Sequence, residues 1–224
     1  MPIILLGAGG GTYTLNSYVT QTQRLLHDAS QNFWSTSELT DYINEARYKI
    51  AALTGCQRYL DTSLSLTVGV ESYAFSTFAH PANIFDVWNI TVVNSNERWS
   101  LAYMPWTEFT AFVRPWVSYQ TRPTHWSKYG SNTIYVAPKP DQTYTTEIDT
   151  LEVPNTLIDN TTVEQLIYPF SDSVKYYAAY LAKKKEQSYG EAQDFMREFV
   201  RTLKEAVAAS QMRRVRNIYD REQY

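Results

Sequence analysis

The chain has a single cysteine, Cys56, in 224 residues. No intramolecular disulfide can form, so no oxidising compartment is implied, and cysteine pairs cannot build a metal site. Histidine is almost as scarce. His27, His80 and His125 are scattered, with no H-x3-H or HExxH spacing to grip a metal ion. No stretch approaches the ~20 apolar residues that span a bilayer. The run Ile3-Ile4-Leu5-Leu6 is too short for a signal-peptide core, and no basic region precedes it. The triplets Asn89-Ile90-Thr91 and Asn160-Thr161-Thr162 therefore carry little weight as glycosylation acceptors. Catalytic signatures are missing too. There is no G-x-S-x-G, Walker A or D-x-D, and no spacing marks out a general acid–base pair or a nucleophile with its base. The expectation is a protein with no cofactor and no enzymatic activity.

Glycine is sparse except in Gly7-Ala8-Gly9-Gly10-Gly11. After Ile3–Leu6 this cluster imitates the start of a dinucleotide fingerprint, in which glycines let a pyrophosphate approach a helix N-terminus. The third glycine position is Thr12, and the first helix is followed by another helix where a βαβ unit needs a strand. A flexible arm over residues 1–14 is the better reading.

Hydrophobic residues make up 44% and charged residues 19%, ordinary globular usage. A chain of this length buries about 70% of its unfolded surface and needs no staples. The outlier is aromatic content, with 18 Tyr, 6 Trp and 9 Phe. Such side chains suit either a β core or an interface that stays partly wet. Net charge is −3 but uneven. Residues 183–224 hold 10 Lys/Arg against 7 Asp/Glu, and residues 1–182 hold the other 10 against 16. An acidic body with a basic tail argues against general nucleic-acid affinity.

Periodicity orders the chain. A helix is predicted from Leu15 to Asp28, with Tyr18, Val19, Leu25 and Leu26 on its apolar face. Ser35-Thr36-Ser37-Glu38 is a capping box, followed by Leu39, Tyr42, Ile43, Ala46, Ile50 and Leu53 at helical spacing, with Gly55 as the stop. From Leu60 the period becomes two. Leu64, Leu66, Val68 and Val70 alternate with small or polar residues, the pattern of a half-buried strand. Further strands are predicted at Ile84–Val93 and, after the turn Asn94-Ser95-Asn96, at Arg98–Tyr103. A short helix is expected at Trp106–Val113. Thr133–Ala137 and Tyr144–Val153 are expected to pair across Pro138-Lys139-Pro140-Asp141. Ser171 can cap a helix through Val174, Tyr177, Ala178, Leu181 and Ala182 that ends at Lys183-Lys184-Lys185, where cations suit the helix dipole. A last helix from Gly190 carries Ala192, Phe195, Met196, Phe199, Leu203 and Val207 as its stripe.

The implied fold is α+β. A helical bundle comes from N- and C-terminal helices (15–56 and 155–210), with an inserted antiparallel β-rich lobe (57–154) and an extended C-terminal tail (211–224). Two regions read as contact surfaces. The aromatic stretch around His125, with Tyr119, Trp126 and Tyr129, can meet a partner or a sugar, or fold over the sheet. In the tail, Arg213, Arg214, Arg216 and Arg221 interleave with Val215, Ile218, Tyr219 and Tyr224. Apolar residues of this kind are wasted in solvent, whereas a segment that orders on binding explains both features.

Three stretches resemble the head-to-tail adaptor (connector) proteins of tailed bacteriophages. They are Gln23–Asp28 with Trp34–Leu39 and Tyr42–Ala46, then Arg122-Pro123-Thr124 through Tyr129-Gly130 with Ile134–Asp141, and the helix Asp172–Ala182 followed by the last helix. The resemblance implies a self-associating ring, usually of twelve copies, between the portal protein and the tail nozzle in the virion neck, assembled in the host cytoplasm. It implies that the helical lobe lines a DNA channel and that C-terminal segments climb onto the portal. The portal-binding residues would be Arg213, Arg214, Val215, Arg216, Ile218, Tyr219, Arg221 and Tyr224, with Tyr119, Trp126 and Tyr129 meeting the tail or a neighbour. DNA would pass through without specific binding, and no membrane is involved. An acidic body suits a conduit, since bound phosphate would stall passage. The alternatives are another tail or neck component and an aromatic-rich carbohydrate-binding module.

Overall fold

The computed structural model describes residues 13–28, 30, 32–114 and 118–212. In chain order the elements are α1 (Leu15–Leu25), α2 (Thr36–Thr54), β1 (Arg58–Asp61), β2 (Ser65–Leu66), β3 (Ser72–Ala74), β4 (Ile84–Asn94), β5 (Glu97–Ser100), β6 (Ala102–Tyr103), α3 (Trp106–Phe112), β7 (His125–Tyr129), β8 (Thr133–Ala137), β9 (Tyr144–Glu152), α4 (Val174–Lys185) and α5 (Tyr189–Met212). The fold is α+β. It divides into a helical unit, the chain up to Cys56 and from Pro154 onward, and a β unit, Gln57–Val153.

In the helical unit the periodic stripes become a core. Tyr18, Leu39, Ile43, Ala46, Ile50, Val174, Ala178, Ala182 and Phe199 are all buried in one cluster. Each large aliphatic among them is worth about 1.5–3 kcal/mol over leaving it exposed. Alanines on α4 have no bulk to hold its neighbours away. The α2 stripe ends with Ala51, buried, while Leu53 is exposed. Gly55 stops α2 in the left-handed region at φ 58°, its N–H donating to the Ala51 carbonyl. Ser35 caps α2 by accepting from the Glu38 N–H. The Glu38 carboxylate accepts from the Tyr42 hydroxyl and the Lys185 ammonium.

Two local expectations change here. The first helix ends at Leu25, because His27 turns to φ 56° and breaks the helical path. Its N-terminus, for which no cap was expected, carries a capping box of Thr14 and Ser17, each side chain accepting from the other's amide. Ser171 does not cap the fourth helix. It lies within a 3₁₀ turn, Phe170–Ser173, that leads into α4.

In the β unit one sheet has the order β1-β9-β4-β5, with β2 also on β9, and the other has the order β3-β8-β7-β6. Their inner faces share a core that includes Leu66, Tyr73, Val87, Ile90, Val92, Trp126, Ile134, Val136, Tyr144 and Ile148. α3 lies on the opposite face of the second sheet. Its Trp106 packs on Tyr129 and Tyr135, and the Arg114 guanidinium stacks over Trp106 and Tyr135 while pairing with Glu71.

The expected strand pairing is corrected at four points. The alternation from Leu64 stops at Leu66. Gly69 (φ 72°) turns the chain, the Tyr73 hydroxyl clasps the Thr67 amide and the Val70 carbonyl, and Val68 and Val70 face solvent. The strand expected at Arg98–Tyr103 divides at Leu101. β5 pairs antiparallel with β4, and β6 pairs parallel with β7 in the other sheet, so the lobe is mixed rather than wholly antiparallel. β8 and β9 do not pair with each other. β8 joins β3 and β7, while β9 joins β1, β2 and β4, so the proline-bounded link carries the chain between sheets. The stretch His125–Tyr129, expected between elements, is a central strand.

Candidate interaction surfaces

The helical unit presents a long irregular segment, residues 154–169, between β9 and the 3₁₀ turn. A buried charge on α2 ties it down. Arg47 is 0% exposed, an arginine on the apolar stripe of α2. Its guanidinium donates through Nε and Nη2 to the Glu164 carboxylate at 2.9–3.2 Å. Nη1 donates to the Asn155 carbonyl at 2.6 Å and to Asn44 Oδ1 at 3.0 Å. Asn44, one turn earlier, exchanges two hydrogen bonds with the Leu157 backbone at 2.8 and 2.9 Å. Glu164 also accepts from the Leu166 amide at 2.8 Å. Burial, with the Glu164 charge beside it, pushes the Tyr18 phenol far above its ordinary value.

This network holds a loop that carries apolar side chains outward. Ile158, Val163, Ile167 and Tyr168 are 65–74% exposed. Between the first pair, Asp159 closes a turn by accepting from the amides and hydroxyls of Thr161 and Thr162, which hold its carboxyl below the usual range. Beyond them, Ile167, Tyr168, Pro169 and Phe170 form a groove with Ala209 and Ser210 at the end of α5, about 340 Å³ in volume. Exposed apolar surface held by such a network is a candidate contact site.

A second fixed protrusion lies between α1 and α2. The Asp28 carboxylate accepts the amides of Asn32, Phe33 and Trp34 at 2.8–3.0 Å. Desolvation opposes its charge, but the three amides outweigh that and keep the carboxyl below the ordinary range. Phe33 is thereby presented to solvent, 83% exposed.

The β unit separates the three aromatics grouped by sequence. Trp126 is 2% exposed and belongs to the core between the sheets. Tyr129 lies three residues along β7, on the opposite face, since successive strand side chains alternate. It is half-exposed beside Trp106. Tyr119, also exposed, sits in the loop before β7. A stacking platform for a sugar built on Trp126 is excluded by its burial. Trp88, in the irregular part of β4 and under the Arg58 guanidinium, is 64% exposed and was not singled out by the sequence.

α5 continues through Met212, so Gln211 and Met212 of the expected tail are helical. Arg213, Arg214, Val215, Arg216, Ile218, Tyr219, Arg221 and Tyr224 lie outside the described residues. Sequence reasoning missed Asn44, Arg47, Glu164 and Asp28. For Arg47 a signal existed: it stands four after Ile43 and three before Ile50, a charge on the buried stripe. Among the described residues no helix is long and apolar enough to cross a membrane.

A family model described as SU10 adaptor protein matches residues 13–220, a span that takes in both units. No curated protein matches the chain.

Proposed function

The chain belongs to the SU10 adaptor protein family, a family of structural phage adaptors, and on that premise we propose that it assembles as a ring joining portal to tail in the virion neck. The observation that carries the proposal is the extent of the match, residues 13–220, which takes in both units. Twelve copies, as in the family it resembles, would enclose a channel through which DNA passes. A closed ring needs heterologous contacts, so each subunit must offer two different surfaces. The loop with Ile158, Val163, Ile167 and Tyr168 and the Phe33 corner would be two such surfaces on the helical unit. Tyr119, Tyr129 and Trp88 are among the exposed aromatics the β unit offers to a tail component or a neighbour. The tail from Arg213 to Tyr224 is assigned to the portal. Assembly would take place in the host cytoplasm.

Light scattering tests the reading. The chain alone, mixed with its portal ring, should join it in a fixed stoichiometry and should fail to do so once residues 213–224 are deleted. No association under any ionic condition would reassign the chain to another part of the virion. The channel wall is expected to carry acids or small polar groups, and a dense ring of arginines lining it in the assembled particle would contradict DNA passage without binding.

A further inference from the structure

The first sheet of the β unit ends in β1 on one side and β5 on the other. We infer that copies of the chain join edge to edge through this sheet, β5 of one subunit pairing antiparallel with β1 of the next. The inference rests on the ring reading and names one of its contacts.

The hydrogen-bond ladder shows which backbone groups are left over. The Glu152 N–H donates to the Gln57 carbonyl at 3.0 Å, one step beyond the pair Arg58 and Leu151. Bonded and non-bonded pairs alternate along an antiparallel ladder. Tyr59 and Asp61 therefore bond to β9, while the N–H and C=O groups of Arg58 and Leu60 turn away from it. At the other edge the Leu101 N–H donates to the Ile90 carbonyl at 2.8 Å, and the same alternation turns the groups of Arg98 and Ser100 away from β4. Among the described residues none of these outward groups has a backbone partner.

Neither edge is guarded. Exposed edges are commonly blunted by an outstretched charge, a proline or a bulge. β1 and β5 contain no proline, and each keeps an unbroken register with its neighbour. Their arginines are drawn back over the sheet. Arg58 pairs with Asp149 on β9 and lies over the Trp88 ring, and Arg98 reaches past β4 to Glu147 on β9 at 2.9 Å.

Direction and charge select the pairing. β9 runs antiparallel to β1 and to β4, and β5 antiparallel to β4, so β5 already opposes β1. A second copy's β1 set beside β5 continues the alternation. Outward groups must meet outward groups, which restricts the register to steps of two residues. One choice sets Arg58 opposite Arg98, and like charges directly opposite are destabilising. The choice two steps away sets Arg58 opposite Ala102, which belongs to the second sheet. The register between them places Leu60 opposite Arg98 and Arg58 opposite Ser100, each pair exchanging both of its hydrogen bonds. Tyr59 then lies opposite Trp99 as a cross-strand aromatic pair. Asp61 and Glu97 also come opposite, but each has its own partner. Asp61 accepts from the Ser63 and Ala79 amides, and Glu97 pairs with Arg122. Two different edges that fit one another are what a closing, heterologous contact requires.

The test uses the full chain assembled on its portal ring. Leu60, 55% exposed, is replaced by p-benzoylphenylalanine, and equal amounts of ¹⁵N-labelled and unlabelled chain are assembled, irradiated, digested and mapped by mass spectrometry. Crosslinks to residues 97–100 in mixed isotope pairs are expected. Crosslinks to residues 58–61 of a second copy, which mark a two-fold pairing of β1 with itself, overturn the inference, as does an absence of mixed pairs at β5. Two further variants, Leu60→Pro and Ser100→Pro, each remove an amide that faces away from the subunit's own sheet, where an edge strand tolerates proline. Each should keep the melting point of the unsubstituted chain and weaken ring closure roughly tenfold or more, read by light scattering. Rings that form undiminished in both variants overturn the edge pairing and leave the adaptor reading standing. An unsubstituted chain that never joins the portal removes both.

Discussion

The two units use charge in opposite ways. The helical unit hides an arginine and a carboxylate, Arg47 and Glu164, at 0% and 2% side-chain exposure. The β unit leaves its ion pairs nearer the rim: in Arg122–Glu97 both side chains are half-exposed or more, and in Arg98–Glu147 the arginine is exposed. Its interior is aliphatic and aromatic, without an ion pair of that kind among the described residues. A buried pair forfeits hydration that only complete hydrogen bonding offsets, so losing one partner is severe. A rim pair keeps its water and contributes little. The comparison shows where specificity resides. In the helical unit it is an irregular loop that must be fixed, and apolar packing alone leaves a loop's backbone groups unsatisfied.

The sharpest way to break the contrast is Glu164→Ala. It strands the Arg47 charge and should cost about 3–5 kcal/mol. For a chain of this size that is a melting point lower by roughly 6–20 °C, read by calorimetry. Replacing both partners, Arg47→Met with Glu164→Leu, should recover most of the loss. If the double variant is no better than the single one, the pair is not what fixes the loop. The β unit's counterpart is apolar. Trp126→Ala should cost ~3–5 kcal/mol in urea unfolding, whereas Tyr129→Ala, half-exposed on the other face, should cost clearly less. Equal costs would refute the assignment of Trp126 to the core.

pH probes both units. In the helical unit, burial and the Asp172 and Glu38 carboxylates push the Tyr13 and Tyr42 phenols up to about 12. Their folded values lie above the unfolded value near 10, so their contribution is complete below pH 10 and lost as pH rises through about 12. The depressed carboxyls behave oppositely. Arg114 lowers Glu71 in the β unit, and Lys185 lowers Glu38 in the helical unit. Their contribution is present above the unfolded value of ~4.3 and disappears as pH falls through the lower folded value. The urea midpoint should therefore fall on both limbs, and Tyr13→Phe with Tyr42→Phe should flatten the alkaline one. A smaller effect is expected at Gly55, where an alanine must adopt φ 58° at a cost of roughly 1–2 kcal/mol. The smallest is Arg98→Ala, below ~1 kcal/mol and vanishing at high salt.

The helices were legible because each carries its own stripe. Ile43, Ala46 and Ile50, or Phe195, Phe199 and Leu203, face the core by spacing alone. The helix ends were legible where a residue type signals a stop, as the lysines do at the end of α4. Gly55 stops α2 as expected, while His27, a residue with no such signal, ends α1 early. The strands were found but not their partners. Trp126 was grouped with Tyr129 by nearness in sequence, although an odd separation on a strand puts them on opposite faces. The buried network joins residues 117 positions apart, Arg47 and Glu164, and no local pattern links them.

By itself, then, the sequence determined what is local and periodic. That covers the amphipathic helices at both ends, the change to period two between them, and with these the α+β class. Only the tertiary structure decided that β8 and β9 part to different sheets, that Arg98–Tyr103 crosses between them, and that Arg47 grips Glu164 beneath an exposed apolar loop. Burial of a stripe depends on spacing along one segment. Strand partnership and the pairing of a buried charge depend on which distant segments arrive beside it, and that is settled by the packing of the whole chain.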